Sequence, residues 1–415
     1  MDREIEVHID WDGATRLVGR LWARAKGARQ TCSFSYDPAW LGFIGAFALE
    51  PNLPLVRGEA HWNGGLFNAF SDPAPDRWGR NLMGRRERHQ AKLEGRAPRT
   101  LLEADFLMLV EDRTRLGALR FRDTGAEAFE AGGADPVPPL VALPRLLSAA
   151  SRVLDDRETD ADLRLLLAPG SSLGGARPKA SVVGPDGKLL IAKFPSHTDD
   201  WPIPAWESVA MTLAERAGVV VPDFQLRQVA RRPVFMMSRF DRIADGGRTP
   251  FCSALTALGA ADGETRSYME LVDFLRRDGA DAPADAAQLW RRMVFNILIS
   301  NTDDHLRNHG FLREQGGWRL SPAYDLNPMP VDVRPRVHAL CLNETEQDAS
   351  LETAFSVASY FRLGKAEATD IASQVGAVVA TWRDVAGQSG LSANQVDRMA
   401  SAFEHADSAA AQALV

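Results

Sequence analysis

Cysteine and long apolar runs are scarce in this sequence. Its 415 residues include three cysteines, Cys32, Cys252 and Cys341, which are far apart and have no Cys-x-x-Cys spacing. We therefore expect neither a disulfide framework nor a structural zinc site. No apolar run approaches the roughly 20 residues that span a bilayer, and the first residues, Met-Asp-Arg-Glu-Ile-Glu, lack the apolar core of a signal peptide. These absences predict a cytoplasmic protein with no membrane partner.

An excess of positive charge is also missing. The formal net charge of −7 argues against a protein that coats nucleic acid. Hydrophobic residues make up 45% of the chain and charged residues 25%, which is typical of soluble globular proteins. A length of 415 residues predicts two or three domains rather than one small core.

The order of the predicted elements indicates an α+β fold. Residues 3–9 alternate between polar and apolar side chains, and residues 15–22 and 30–36 read as further strands. We predict an N-terminal domain, a linker rich in Ala, Gly and Pro, a strand-rich small lobe and a helical large lobe. Their bounds are 1–123, 124–139, 140–243 and 244–415. In the large lobe we predict helices over 351–361, 365–387 and 393–414, the last capped by Ser392, and some strand near 336–342. In the small lobe, residues 219–221 read as strand material.

Residues 77–99 contain eight arginine and lysine side chains, which makes this stretch the most basic of the chain. One interpretation is a surface for an anionic partner such as a DNA backbone or an acidic protein. The other is a solvated helix face in an arginine-rich protein, and we favour it because Glu87 and Glu94 interrupt the run.

The strongest chemical signal is Asp303, followed five positions later by Asn308, with Asp325 beyond them. Phosphoryl transfer needs a carboxylate to receive the proton of the acceptor hydroxyl and oxygen ligands that hold Mg²⁺ on the ATP phosphates. Asp-x-x-x-x-Asn followed by a second Asp supplies these groups in kinases. Alone, the spacing is a weak signal that also fits a polar loop capping a helix.

Upstream features favour the phosphoryl-transfer interpretation. Residues 170–179 form a loop of small residues whose backbone N–H groups could approach a polyphosphate, although the loop matches no standard nucleotide motif. Lys193 lies in an otherwise apolar strand, and Glu207 begins a helix 14 residues later. Because a buried lysine needs a carboxylate partner, we predict that Lys193 and Glu207 form a structural ion pair.

Several motifs together resemble the HipA-like serine/threonine kinases, the toxin halves of bacterial toxin–antitoxin modules. The resembling stretches are the loop 172–179, the segment 238–242, the loop 301–308 and the segment 320–325. Upstream, residues 33–36, 75–80 and 116–119 are similar to the N-terminal coupling domain of that family. The resemblance implies a bilobal protein-kinase-like fold with a β-rich N-terminal coupling domain and a helical C-terminal lobe.

The resemblance also assigns roles to residues. It implies that Asp303 is the catalytic base, that Asn308 and Asp325 bind Mg²⁺, and that Lys193 touches the ATP phosphates. The loop residues that would cover the phosphates are Gly174, Gly175, Ala176, Arg177, Pro178 and Lys179. The adenine end would be lined by Ser238, Arg239 and Phe240, and the phosphate side by His305, Leu306, Arg307, Asn308, Tyr324 and Asp325.

Regulation and partners follow from the same resemblance. Members of the family autophosphorylate a serine of the phosphate loop and thereby silence themselves; Ser172 matches that serine and Ser171 is the second candidate. They bind a small DNA-binding antitoxin (HipB-like) and contact DNA through that complex, and characterised toxins phosphorylate an aminoacyl-tRNA synthetase. Two departures separate this chain from the best-known member: Ser238 stands where Glu is frequent, and Arg177-Pro178 stands where Gln-Glu occurs. The protein substrate is therefore not transferred to this chain.

Three functions remain open from the sequence. The first is an active ATP-dependent protein kinase that acts as a toxin. The second is a catalytically weak module that binds an antitoxin and serves as a co-repressor, which the intact Lys193, Asp303, Asn308 and Asp325 disfavour. The third is a small-molecule or lipid kinase of the same layout.

Overall fold

The computed structural model describes residues 2–27, 29–129, 137–167, 175–243 and 246–414. Contacts between residues divide the chain into two compact units. Unit 1 comprises Met1–Thr198, Gln228–Arg232 and Met236–Cys252, and unit 2 comprises Asp199–Arg227, Pro233–Phe235 and Ser253–Val415. The four-part division predicted from the sequence remains a prediction, and residues 130–136 of its linker lie outside the described residues.

The described residues form both strands and helices, which confirms the α+β class. The strands are β1 (Arg3–Trp11), β2 (Ala14–Lys26), β3 (Arg29–Tyr36), β4 (Glu59–Trp62), β5 (Leu119–Asp123), β6 (Lys179–Val183), β7 (Leu189–Lys193), β8 (Phe224–Val229), β9 (Arg232–Ser238), β10 (Phe251–Ser253), β11 (Gly310–Glu314) and β12 (Gly317–Leu320). The first helices are α1 (Pro38–Leu41), α2 (Asn68–Ser71), α3 (Arg77–Leu93), α4 (Glu103–Leu109), α5 (Leu143–Leu154), α6 (Asp160–Leu167) and α7 (Ile203–Arg216). The remaining helices are α8 (Ala254–Leu258), α9 (Tyr268–Asp278), α10 (Ala282–Leu298), α11 (Leu351–Val357), α12 (Lys365–Val379), α13 (Trp382–Gln388), α14 (Ala393–Arg398), α15 (Ala400–Phe403) and α16 (Ala406–Gln412). No helix of the described ranges is long and apolar enough to cross a membrane.

An antiparallel sheet with the order β4-β3-β2-β1-β5 opens unit 1. Alternation along β1 buries Ile5, Val7 and Ile9 almost completely, as period-2 patterning requires when one face packs on a core. A second sheet has the order β6-β7-β9-β8, and the boundary between the units passes through β8 and β9. Within unit 1, β6 pairs antiparallel with β7, so that Lys179 lies opposite Lys193.

Unit 2 is built around α10, a helix of 17 residues. Asp281 caps its first turn with a side-chain hydrogen bond to the Ala284 N–H group, and residues 292–298 are all buried. The helix leads directly into the loop that carries Asp303, with Ser300 in the left-handed backbone region at φ 51°. The helix therefore anchors that loop in the core, as expected from its apolar sequence.

Several element predictions are wrong at their ends or in their continuity. Residues 365–387 form α12 and α13 rather than one helix, and residues 393–414 form three short helices. The chain turns at residues 380 and 381 between α12 and α13, and Trp382, which opens α13, stacks on Phe403 with ring centroids 4.6 Å apart. No strand forms at residues 219–221 or at residues 336–342. The strand predicted near 336–342 is replaced by isolated bridges such as that between Val337 and Asp348. The cap by Ser392 is confirmed, because its side chain accepts from the Gln395 N–H group.

Candidate functional site

The loop of residues 301–308, here called the catalytic loop, begins at a chain of buried side-chain amides. Asn301 donates from Nδ2 to Oδ1 of Asn296 on α10 at 3.0 Å, and Asn296 donates from Nδ2 to the Tyr268 hydroxyl at 3.1 Å. These groups are buried, and buried amides stay in place only when they are hydrogen-bonded. The start of the catalytic loop is therefore fixed to α9 and α10.

Two consecutive aspartates in the catalytic loop have opposite environments. The Asp303 side chain is 55% exposed, and Nη1 of Arg334 lies 3.2 Å from its Oδ1. Asp304 is 1% exposed and accepts three hydrogen bonds. A carboxylate that receives a proton from a substrate must be reachable by that substrate. The structure therefore favours Asp303 over Asp304 as the candidate base.

Asp304 joins three segments of unit 2. Its Oδ2 accepts from the Tyr268 hydroxyl at 2.6 Å and lies 2.7 Å from Nδ1 of His338, and its Oδ1 accepts from the Ala339 N–H group at 3.0 Å. Burial alone would raise the pKa of Asp304, but the charge and hydrogen bond of His338 outweigh it, so that the pKa is lowered. Burial beside Asp304 raises the pKa of Tyr268. The network fixes the catalytic loop through the buried Asp304 side chain and leaves the Asp303 side chain exposed to solvent.

The two predicted metal ligands, Asn308 and Asp325, are both in unit 2. Asn308 donates from Nδ2 to the main-chain oxygen of Asp303 at 2.6 Å, which orients its Oδ1. Asp325 has a left-handed backbone with φ 58°, an uncommon conformation for a residue other than glycine and one that recurs at functional sites. Asn327 donates from Nδ2 to Oδ1 of Asp325 at 3.2 Å. Both predicted ligands are thus held by neighbouring groups.

The other predicted residues of this loop differ in exposure. His305 is exposed, whereas Leu306 is buried. Arg307 forms a bidentate pair with Asp262, both contacts being 3.0 Å. The Tyr324 hydroxyl donates to the main-chain oxygen of Arg307 at 2.9 Å, which links the segment of Asp325 to the catalytic loop. Their proposed contacts with nucleotide remain predictions.

The donor set in unit 2 is suited to Mg²⁺ bound together with phosphates. No group of three or more His, Cys, Asp or Glu side chains gathers to hold a metal in the described ranges. Mg²⁺ in kinases is held by one or two protein oxygens and completes its shell with phosphate oxygens and water. Asp325 and Asn308 offer one carboxylate and one amide oxygen of the required type, and their binding of Mg²⁺ remains a prediction.

In unit 1, the phosphate-loop prediction falls partly on residues that are not described. Ser171, Ser172 and Gly174 lie outside the described residues, so the autophosphorylation site remains a prediction. Residues 175–177, namely Gly175, Ala176 and Arg177, are exposed, whereas Pro178 and Lys179 are buried. The Lys179 ammonium group lies 2.6 Å from Oδ2 of Asp76 and 3.2 Å from the Gly175 main-chain oxygen. In this structure the Lys179 side chain is therefore committed to a buried ion pair, and its predicted phosphate contact remains untested.

Lys193 ends β7 in unit 1, as the sequence predicted. Glu207 lies in the second turn of α7 in unit 2 rather than at the start of the helix, because α7 begins at Ile203. Lys193 is half-buried, and Glu207 is 1% exposed. Their ion pair remains a prediction.

The predicted adenine-end residues adjoin a buried ionic network of unit 1. Arg239 donates from Nε to Oδ1 of Asp241 at 2.6 Å and from Nη1 to the Thr114 main-chain oxygen at 2.8 Å. Burial raises the pKa of Asp241, but the guanidinium groups of Arg239 and Arg242 outweigh it and lower the pKa. Ser238 and Phe240 on either side are half-buried. The Arg239 side chain is thus held in this ionic network, and its backbone N–H group donates to the Leu189 oxygen at 3.0 Å. The predicted adenine contact of Arg239 remains a prediction.

The basic stretch around α3 is partly neutralised. Arg80 pairs with Glu103 at 2.7 Å, Arg85 with Glu158 at 2.8 Å, and Arg96 with Glu87 at 2.6 Å. Arg99 also lies 3.6 Å from Glu87, so that four of the eight cations are paired, which supports the solvated-face interpretation for half of the stretch. The remaining cations of the stretch are exposed, and none of them pairs with an acidic side chain of the described residues: Arg77, Arg86, Arg88 and Lys92.

Sequence reasoning missed the residues that support the site. Asp76 was visible only as the acidic start of a helix, and Asp304 only as the second member of an Asp-Asp pair. His338, Tyr268 and Arg334 gave no signal, because each reaches the catalytic loop from a distant part of the sequence.

Comparison with known proteins places this geometry in a family. Residues 171–382 match the model of the HipA-like C-terminal domain, and residues 10–104 match that of the HipA N-terminal domain. The chain belongs to the HipA family. The matched residues include the catalytic loop, Asp325 and residues 175–179, as well as the start of α3.

Similar proteins extend the comparison over most of the chain. A protein of Sinorhizobium fredii named "Putative kinase Y4mE" is 28% identical over 354 residues, which cover 77% of this chain and 76% of that protein. "Toxin YjjJ" of Escherichia coli is 26% identical over 198 residues, which cover 45% of this chain and 43% of that protein. In a solved complex of Shewanella oneidensis HipA with HipB and operator DNA, a chain has a TM-score of 0.67 at 16% identity, with 99% of this chain and 96% of that chain covered. This HipA complex therefore confirms the fold.

Proposed function

We propose that this chain is an ATP-dependent protein serine/threonine kinase that acts as the toxin of a toxin–antitoxin system. The observation that carries the proposal is the contrast between Asp303 and Asp304: an exposed carboxylate stands on a loop that a buried neighbouring carboxylate fixes in place. Such pre-organisation is what catalysis by positioning requires. Membership of the HipA family and the name of the Sinorhizobium fredii relative support the same activity.

The chemistry assigns separate tasks to these residues. Asp303 would accept the proton of the substrate hydroxyl as that oxygen attacks the γ-phosphorus of ATP. Asn308 and Asp325 would hold Mg²⁺, which when bound neutralises charge on the phosphates. Lys193 of unit 1 would contact the phosphates. The hydroxyl-bearing substrate gains the phosphoryl group and ADP leaves.

We also propose a small DNA-binding antitoxin as partner. The Shewanella oneidensis relative is in complex with HipB and operator DNA, and residues 10–104 of this chain match the N-terminal domain of the family. Contact with DNA would then be made through the antitoxin complex. Co-purification with the antitoxin of its own operon, followed by a gel shift on the operator, tests this part.

The first experiment is transfer of labelled phosphate from ATP in the presence of Mg²⁺ by purified protein, with mass-spectrometric mapping of the modified residues. The starting preparation must be shown to be unphosphorylated, and Asp303→Asn is the control. We expect phosphate on Ser171 or Ser172 in the wild type and none in the control.

Other outcomes separate the alternatives. Transfer to small molecules with no protein phosphorylation would favour a small-molecule kinase. ATP binding without any transfer would favour a co-repressor module that binds the antitoxin. Either result would contradict the protein-kinase proposal.

A further inference from the structure

The segment of residues 175–179, here called the loop foot, is fastened to the first turn of α3. The Lys179 ammonium group lies 2.6 Å from Oδ2 of Asp76, and the two side chains are 2% and 4% exposed. Trp78 donates from its indole Nε1 to the Lys179 main-chain oxygen at 3.0 Å and from its backbone N–H to the Gly175 oxygen at 3.4 Å. Both ends of the loop foot are therefore bound to residues 76–78, all within unit 1.

Each partner of the ion pair is also fixed by a second contact. Asp76 is the N-cap of α3, and its Oδ1 accepts from the Gly79 N–H group at 2.8 Å. The Lys179 ammonium group also donates to the Gly175 oxygen at 3.2 Å. A buried ammonium group and carboxylate are tolerated only when they are paired and hydrogen-bonded. These contacts restrict the buried ion pair to one geometry, whereas an exposed ion pair samples many geometries.

Gly175 has a conformation that this arrangement needs. Its backbone φ is +89°, a conformation that residues with a side chain rarely adopt. A Cβ atom at this position would lie 3.3 Å from the Lys179 ammonium nitrogen. A glycine at this position lets the chain fold back over the lysine. The loop foot is therefore shaped around the ion pair.

The loop foot also adjoins the lysine predicted to contact the phosphates. Lys179 and Lys193 are directly opposite each other in the β6–β7 ladder, and the Pro178 oxygen accepts from the Phe194 N–H group at 2.9 Å. Opposed residues of an antiparallel pair lie on the same face of a sheet. The ion pair therefore lies next to the strand end that carries Lys193.

We propose that Asp76 is a positioning residue that holds the loop foot, through Lys179, in the conformation that binds ATP. The inference rests on the proposed kinase function and gives the N-terminal domain a part in nucleotide binding. If the pair is broken, the competent conformation is populated for a smaller fraction of the time. A fall in that fraction to about a tenth raises the apparent Kd for ATP about tenfold.

The test is Asp76→Asn, which keeps an N-cap oxygen but removes the carboxylate charge. We expect the Kd and KM for ATP to rise about tenfold or more, whereas kcat at saturating ATP stays within about threefold of the wild type, because the groups of the catalytic loop are untouched. Hydrogen exchange should become faster in residues 175–179 and stay unchanged in residues 301–308. General destabilisation would lower the amount of active enzyme without this split between KM and kcat.

The matched control is Asp186→Asn, since Asp186 forms an ion pair with Lys188 between β6 and β7 that is exposed on both sides. The Asp186→Asn variant should have the ATP affinity of the wild type and the same rate of hydrogen exchange in residues 175–179. An Asp76→Asn enzyme with the ATP affinity and exchange of the wild type would overturn the inference. Tighter ATP binding in that variant would do the same, since it would mean that the released Lys179 binds phosphate directly.

A second variant protects the test against misfolding. Asp76→Asn combined with Lys179→Met removes the uncompensated buried ammonium group, and it should fold even if the single variant does not. Because Lys179 is itself predicted to cover the phosphates, hydrogen exchange in the loop foot, and not Kd, is the decisive measurement for this variant. Faster exchange supports the inference, and unchanged exchange contradicts it. A wild type that neither binds ATP nor transfers phosphate would instead refute the proposed function, and hydrogen exchange alone would then report on the ion pair.

Discussion

The catalytic loop of unit 2 and the loop foot of unit 1 place their charges in opposite ways. The catalytic loop exposes Asp303 beside Arg334, with both side chains about half exposed. The loop foot buries Lys179 against Asp76. An exposed ion pair contributes little to stability and is easily displaced, whereas a buried pair is costly to break. The comparison indicates that the exposed charge of the catalytic loop is available for chemistry and that the buried charges of each loop keep that loop in place.

The largest expected effect is on the rate of phosphoryl transfer and comes from the exposed carboxylate, Asp303. Asp303→Asn should lower the rate of phosphoryl transfer by about 10²–10⁴-fold, because the substrate hydroxyl loses its general base. ATP affinity should stay near that of the wild type. The check is single-turnover transfer together with calorimetric ATP binding. Unchanged turnover would remove Asp303 from its role.

Breaking the buried neighbour should affect stability instead. Asp304→Ala leaves the Tyr268 hydroxyl, the His338 ring and the Ala339 N–H group without their acceptor. We expect a loss of roughly 2–5 kcal/mol in the free energy of unfolding. Urea unfolding of this variant beside Asp303→Ala measures the difference. Equal midpoints for the two variants would contradict the supporting role of Asp304.

The pH dependence of stability should have opposite signs in the two units. Burial lowers the pKa of His309 in unit 2 to about 4 and raises the pKa of Glu50 in unit 1 to about 7. Between pH 4 and 6.5 the unfolded chain binds more protons at His309, so this residue makes stability rise with pH. Between pH 4.5 and 7 the folded chain binds more protons at Glu50, so that residue makes stability fall with pH.

The corresponding measurement is unfolding free energy against pH for His309→Gln and Glu50→Gln. Each contribution is on the order of 3 kcal/mol across its pH window, since one pH unit between the folded and unfolded pKa corresponds to about 1.4 kcal/mol. His309→Gln should flatten the rise with pH, although His405, also with a pKa lowered to about 4, retains part of it. Glu50→Gln should steepen the rise. Slopes that match the wild type in both variants would contradict the assignment.

The smallest effect is expected at the exposed partner of Asp303. Arg334→Ala should change the free energy of unfolding by no more than about 0.5–1 kcal/mol, since the lost ion pair is open to solvent on both sides. Chemical denaturation in low and high salt provides the measurement. A loss as large as that of Asp304→Ala would erase the distinction between exposed and buried charges.

By itself the sequence determined the local features of this protein. Period-2 alternation predicted β1, the apolar run of α10 predicted the buried helix before the catalytic loop, and Ser392 predicted a helix cap. The spacing of Asp303, Asn308 and Asp325 predicted the candidate site. These features depend on residues close together in the chain, where side-chain periodicity and hydrogen bonding to nearby backbone leave a readable pattern.

Only the tertiary structure decided which charged groups are exposed and which are paired. Asp303 and Asp304 are neighbours of the same type, and their difference comes from Tyr268 and His338, which are 36 and 34 positions from Asp304. Lys179 meets Asp76 across 103 positions. Burial and partner choice arise from contacts between distant segments, and the sequence around a charged residue does not encode them locally. For that reason the sequence predicted the residues of the site, and the fold determined the surroundings of each.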